Sequence, residues 1–321
     1  KYEIKGNLAH SELQKLCTAN IKNEIGKSTY TQMLNETGGI ETDLTVICID
    51  KDYFRIISSA ATRTHDKVHI LKNLSKDLDF KDVTDDYACL GIFGPKSRDL
   101  LSKLSNDDFS KETFKFGDGK SSNINSKKVW IQRLSYVGEL GYEIYSKIED
   151  AKSIYNLIIE EGEKFKLSLC GSHAMDVMRM ESGFLHWGHD ISPEENQFEA
   201  GLNFAISFKK DANFIGKEQL TKYKDKKPKK KFIMLSLKNN NPGQPLLLHE
   251  EPIYLDDKII GRTTSGNYSF NYNKNLSFGY VSSNYSNHEL SSKNLYIEVA
   301  KCKYPVNVEL HPLKSSKIRH S

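Results

Sequence analysis

The sequence predicts an α+β fold ending in a small all-β unit, and three observations carry that expectation. The chain has 321 residues, enough for two or three domains. From its start to the helix-like "HAMDVMRMESG", helical stripes and strand-like runs are interleaved. After the lysine-rich segment "KYKDKKPKKK" at 222–231, helical periodicity fades, and short β-runs punctuated by turns take over.

Taken in order, "KYEIKG" reads as a strand ending in a turn, so the chain is expected to begin partway into a domain, with its N-terminus truncated. "LAHSELQKLCTANIK" sets Leu8, Leu13, Leu16 and Cys17 close to one helical stripe. "STYTQMLN" and "TDLTVICI" read as strands joined by a Glu-Thr-Gly-Gly turn, and "DYFRIISSA" as a third. The helix "TRTHDKVHILKNLSK" follows, with Thr62 or Thr64 as N-cap. A second sub-lobe begins near 82–86. It holds the strand "YACLGIFG" and a helix opened by "GPKSRDLLSKL", with Pro95 near the first turn. Two strands in "KVWIQRLSYVGELGYEIYS" come next, then the amphipathic helix "EDAKSIYNLIIEEGEKF" and a second helix stopped by Gly183. The expected organisation is therefore 1–225, an exposed linker at 222–231, and a barrel or sandwich over 232–321 with turns at "NNNPG", "LDDK", "SGN" and "SSNYSN".

Composition excludes several classes. With 38% hydrophobic and 27% charged residues the chain reads as globular, and no apolar run reaches the roughly 18 residues needed to span a bilayer. No signal peptide is recognisable. A net charge of +4 does not point to nucleic acid. Cys17, Cys48, Cys89, Cys170 and Cys302 form no CxxC pair, which argues against zinc and redox motifs and fits a reducing compartment: cytoplasm, or mitochondrial matrix in a eukaryote.

Three stretches hold candidate chemistry. "GGIETDLTV" places Asp43 inside a strand-like run that disfavours Asp, on the same face as Glu41; the ordinary reading is a solvated strand-start carboxylate. "YVGELGYEIY" presents Glu139 in a glycine-flanked turn, where a carboxylate can accept two parallel N–H bonds from an amidine-like edge; a solvated turn Glu is the plainer alternative. "HWGHD" offers His186, His189 and Asp190, but not the i, i+4 His pair of zinc proteases, so loop packing around Trp187 is the default and no metal is expected. There is no Gly-rich dinucleotide fingerprint, no GxSxG elbow and no P-loop.

In order, "YTQMLNETGGIETDLTV", "GPKSRDLL", "SYVGELGYEIY", "MRMESGFLHWGHDISPEENQFEAGLNFAISFKKDANFIGKEQL" and "GRTTSGNYSFNYNKNLSFGYV" resemble the aminomethyltransferase (glycine cleavage T-protein) family. The last part of the fourth stretch looks most like the branch fused to sarcosine and dimethylglycine dehydrogenases. The resemblance implies a three-lobed fold around a tetrahydrofolate site. It implies a proton-accepting role for Asp43, pocket-lining by Tyr30, and binding of the pterin's aminopyrimidine edge by Glu139. Ser59 and Trp187 complete the expected folate contacts. It also implies capture of an amine-derived methylene as methylene-tetrahydrofolate, beside a flavin domain or subunit whose FAD lies outside this chain. Ala174-Met175-Asp176 replaces an Ala-Arg-Asp stretch of the stand-alone enzyme, and Ser59 stands for an Asn, which favours the dehydrogenase-associated branch. The alternatives are a stand-alone aminomethyltransferase, a folate-dependent demethylase, and a folate-binding scaffold without catalysis.

Overall fold

Alternation of apolar and polar residues builds the first sheet. In this computed structural model, which describes residues 1–238 and 241–314, β1 (Tyr2–Lys5), β2 (Ser28–Leu34), β3 (Ile40–Asp50), β4 (Tyr53–Ser58) and β5 (Asp79–Asp82) pair antiparallel in the order β2-β3-β4-β1-β5. On β3, Ile40, Thr42, Leu44 and Val46 are buried, while Glu41, Asp43 and Thr45 stay partly open on the opposite face. The helices α1 (Ala9–Leu16) and α2 (Arg63–Asn73) cover the apolar face, where Leu13, Leu16 and Ile70 join Ile4, Phe54 and Ile56. Thr62 occupies the N-cap position of α2, but its hydroxyl donates to Asp66 at 2.6 Å rather than capping an N–H.

The first sheet ends at Asp82, and a second begins at Tyr87. Here β6 (Tyr87–Phe93), β7 (Gly119–Ile124), β8 (Lys127–Gln132) and β9 (Gly141–Lys147) follow the order β6-β9-β8-β7. The helices α3 (Ser97–Leu104) and α4 (Ile148–Gly162) lie over its apolar side, and Leu101, Ile131, Tyr142, Ile144 and Ile154 form its core. Next come α5 (Ser172–Glu181) and α6 (Lys217–Lys224). Gly183 just past α5 has φ +73°, which glycine adopts without penalty, and its N–H returns to the Met180 carbonyl.

The C-terminal unit is a closed barrel rather than a sandwich. Its strands β10 (Lys230–Leu237), β11 (Pro252–Leu255), β12 (Lys258–Ser269), β13 (Lys274–Ser282), β14 (Leu295–Val299) and β15 (Cys302–Glu309) run β10-β13-β12-β11-β14-β15. Helix α7 (Asn287–Ser292), opened by a Ser286–Glu289 capping box, contributes Leu290 to the interior. Part of the expected "NNNPG" turn, residues 239–240, and positions 315–321 lie outside the described residues. Among the described residues, no helix is long and apolar enough to cross a membrane.

The lysine-rich stretch 222–231 is not all linker: its first residues finish α6 and its last two open β10. Leu220 alone is buried along α6, so the helix leaves almost no apolar signature. The strands β5, "DFKD", and β7, "GKSSNI", were not expected; both are poor in strand formers and owe their structure to pairing with β1 and β8.

The turn between β2 and β3 is clamped from outside. A Cβ on Gly39 would sit 2.0 Å from the Pro193 carbonyl oxygen, whereas one on Gly171, at the start of α5, would meet nothing within 4 Å. We expect Gly39→Ala to cost on the order of 1–3 kcal/mol through overpacking. Gly171→Ala should change stability by less than about 0.5 kcal/mol. Urea midpoints that fall equally in both variants would contradict this account.

Candidate functional site

The open face of β3 places a carboxylate where burial works against its charge. Asp43 pairs across the sheet with Gln32, whose Nε2 donates to Asp43 Oδ1 at 2.8 Å. Protein crowding around the carboxyl raises its pKa from 3.8 to about 6; bonds from Gln32 and the Tyr30 hydroxyl pull it down, and Asp66 on α2 pushes it up. The same crowding, reinforced by Asp43, drives Tyr30 well above its usual 10, so its hydroxyl stays protonated. Tyr30 nonetheless keeps 39% of its surface accessible.

Other side chains extend this face. Tyr30 lies nearly parallel to Phe204, at 6.2 Å and 22°. Ser58 pairs with Leu44, which carries the chain on to Ser59 at the entrance to α2, where the Ser59 carbonyl accepts the Thr62 N–H at 3.3 Å. Further along β3, Glu41 accepts from Asn35 at 3.0 Å and contacts His65 Nε2 at 3.1 Å. Trp187 packs on the His65 ring at 5.2 Å and donates Nε1–H to the Ile40 carbonyl at 3.0 Å. Tyr136, from the loop before β9, donates to the Leu185 carbonyl and lies close enough to Asp43 to feel its charge.

Tyr30 and Asp43 thus share one sheet face, with Ser59 just past the end of β4 and Trp187 tethered at Ile40, and Glu139 has no described hydrogen bond or ring contact with them. Its turn is held tight: a Cβ on Gly138, at φ +68°, would strike Ser182 Oγ at 1.9 Å. Glu139 Oε1 receives Lys314 Nζ, from the segment that follows the barrel. Sequence reasoning missed Gln32, Phe204, Tyr136 and Lys314. The first three stand inside quoted motifs but carry no charge to single them out.

"HWGHD" serves as a buttress. Asp190, 1% exposed, accepts from Arg179 (2.5 Å), the His186 main chain (3.0 Å), Thr264 (2.6 Å) and Ser265 (2.8 Å). Every lone pair it could offer a metal is thus committed inside the protein. The His186 ring, stacked on His189 at 4.7 Å, is kept below its usual pKa by burial.

Residues 1–210 match the GCVT N-terminal domain, and residues 230–314 match the glycine cleavage T-protein C-terminal barrel domain. The chain belongs to this aminomethyltransferase (glycine cleavage T-protein) family. It is 36% identical over 270 residues to the 4-methylaminobutanoate oxidase (formaldehyde-forming) of Paenarthrobacter nicotinovorans, covering 84% of this chain and 32% of that one. It is 34% identical over 284 residues to the mitochondrial dimethylglycine dehydrogenase of Homo sapiens, covering 88% and 32%. The chain thus spans 32% of the length of each of these relatives. The solved glycine cleavage system aminomethyltransferase T from Bartonella henselae has the same fold, with a TM-score of 0.85 at 21% identity over 97% of this chain and 83% of that one. The expected three-lobed arrangement, with the barrel as its last lobe, is the fold found.

Two outcomes follow from these environments. Because Asp43 has a raised pKa, its charged form weakens the fold fully above about pH 6, and the penalty disappears below 3.8. Asp43→Asn keeps an acceptor for Gln32, so its melting temperature should exceed the parent's at pH 8 and converge with it near pH 4. A constant difference across that range would be inconsistent with the assigned environment. Asp190→Asn strips the charge facing Arg179 and should cost about 3–5 kcal/mol, as broken buried pairs do; chemical denaturation measures it.

Proposed function

We propose that this chain binds tetrahydrofolate and captures the one-carbon unit of an amine-derived iminium as methylene-tetrahydrofolate, acting as the C-terminal part of a sarcosine- or dimethylglycine-dehydrogenase-like flavoenzyme. The observation that carries this reading is Asp43, a carboxylate on an open sheet face, fixed by Gln32, with a pKa near 6. A base so poised can both take and return a proton near neutral pH. Kinship with a formaldehyde-forming methylaminobutanoate oxidase and a dimethylglycine dehydrogenase supports an amine as the carbon source.

The residues present fit a folate. The near-parallel Tyr30 and Phe204 rings suit a flat conjugated ligand. Glu139 suits an aminopyrimidine edge, provided that Lys314 shares or yields Oε1. When bound, tetrahydrofolate supplies the two amine nitrogens that take up the methylene carbon. Asp43 would accept, one after the other, the two N–H protons given up there, at the oxygen that Gln32 leaves free, and pass them to the amine, which departs as an ammonium ion. Its negative charge also steadies the cationic donor. Tyr30, always protonated, donates toward Asp43 and holds the carboxylate in place. Trp187, tethered to Ile40, covers the His65 ring at the edge of the face. Oxidation of the amine belongs to a separate flavin domain or subunit, since no dinucleotide fingerprint occurs here.

In the intact parent enzyme, Asp43→Asn should keep folate binding and slow single-turnover trapping of the iminium by roughly 10²–10⁴-fold. Equal rates would remove Asp43 from the chemistry, and lost binding would make it a ligand-positioning group. Glu139→Gln should weaken folate binding by about 1.5–3 kcal/mol; an unchanged calorimetric affinity would take Glu139 out of the site.

A further inference from the structure

We propose that Gln197 is a positioning residue that fixes which end of the Gln32 amide faces Asp43. This inference rests on the folate reading for its catalytic meaning, but not for its electrostatics. The two ends of a Gln amide have nearly the same shape, so packing alone does not decide whether Gln32 presents N–H or C=O to a carboxylate. C=O would repel Asp43 and leave it the Tyr30 hydroxyl as its remaining donor.

The hydrogen bonds set the choice from a fixed point. The Ala205 main-chain carbonyl can only accept, and it accepts the Thr18 hydroxyl at 3.0 Å. Thr18 Oγ1 also lies 3.3 Å from Thr31 Oγ1, whose own proton can go to either Thr18 or the Gln32 carbonyl. With the Thr18 O–H given to the nearer Ala205 carbonyl, Thr18 Oγ1 accepts from Gln197 Nε2 at 2.9 Å. The Gln197 amide nitrogen is thereby turned inward, and its second N–H reaches Gln32 Oε1 at 2.6 Å. Gln32 must then point Nε2 at Asp43 Oδ1, at 2.8 Å. Gln32 and Gln197 are both fully buried, so water cannot substitute for any link. Gln197 Oε1 is left buried without a partner, so the orientation is held at the cost of an unsatisfied acceptor. The short turn that supplies the Ala205 carbonyl also carries Phe204, which stacks on Tyr30. One backbone turn thus places a pocket ring and orders the relay behind it.

The consequence is a carboxylate held ionised down to lower pH than its crowding alone allows, with Oδ2 left to act. The other ionisable groups around Asp43 are Tyr30 on β2, Glu41 on β3, Asp66 on α2 and Tyr136 from the loop before β9. None of them bonds to Gln197 among the described contacts, so variants at 197 leave them in place.

The test uses Gln197→Met, close in shape and without an amide, and Thr18→Val, which exchanges a hydroxyl for a methyl at the head of the relay. The Asp43 carboxyl is titrated by carbon-13 NMR with labelled Asp, its signal assigned by its loss in Asp43→Asn. Both variants should raise the titration midpoint, by up to about one pH unit for loss of a donor to a charged group. The rising limb of the pH profile for one-carbon transfer in the intact enzyme should move with it. An unchanged midpoint in a folded variant overturns the relay, even where folate transfer is intact. A shifted midpoint in a protein that binds no folate keeps the relay and discards the folate reading. If Gln197→Met does not fold, Thr18→Val decides alone.

Discussion

The seating of the barrel against α5 rests on one buried ion pair, Arg179 with Asp190. Arg179, near the end of α5, also reaches Asp176, the Phe184 carbonyl and Ser265. Asp190 collects both barrel hydroxyls and the backbone of its own loop. Two desolvated charges are poor evidence of net stabilisation, because losing their hydration offsets most of their attraction. Their effect is to exclude alternatives: any slip of the barrel against α5 strands a charge. Glu181, two residues after Arg179 at the end of α5, repeats the logic by accepting from Ser269 and Asn271. Its carbonyl receives the Lys314 N–H, which brings the segment after β15 back toward Glu139.

Within that frame the proposed chemistry is confined to the face of one sheet that the core does not use. Ile40, Thr42, Leu44 and Val46 on β3 look toward the core, while Glu41, Asp43 and Thr45 look the other way, where the start of α2 brings His65 against Glu41. The proposal thus needs no special loop for its base. It needs a strand whose second face is enclosed by neighbouring lobes, which raises the carboxylate's pKa while leaving it accessible. The tight turn around Glu139 supplies the opposite requirement, an anion near the junction with the barrel.

Much of this was legible in the sequence, because strand alternation and glycine spacing are local. Asp43 stood out as a charge breaking an apolar run, and the pairing of β2 with β3 brought Tyr30 to its side. The lysine run hid the end of α6, because a helix that buries only Leu220 has no stripe to read. Asp190 was visible only as a metal candidate, since nothing local announces that Thr264 and Ser265 will meet it. Gln197 and Lys314 were invisible for the same reason. Their importance comes from what they touch, and their partners lie 165 and 175 residues away in sequence.

That separation bears on how the protein folds. The hairpins of the two sheets join neighbouring segments and close short loops. The links Gln197–Gln32, Gln197–Thr18 and Trp187–Ile40 span 165, 179 and 147 residues. Contacts of such high order incur the largest loop-closure entropy before they return any energy. The sheets should therefore be established while the pocket is still unassembled, and amide protons that close it should form among the last and exchange through the earliest openings. Maturation of the pocket and acquisition of secondary structure are then separate kinetic events on one chain.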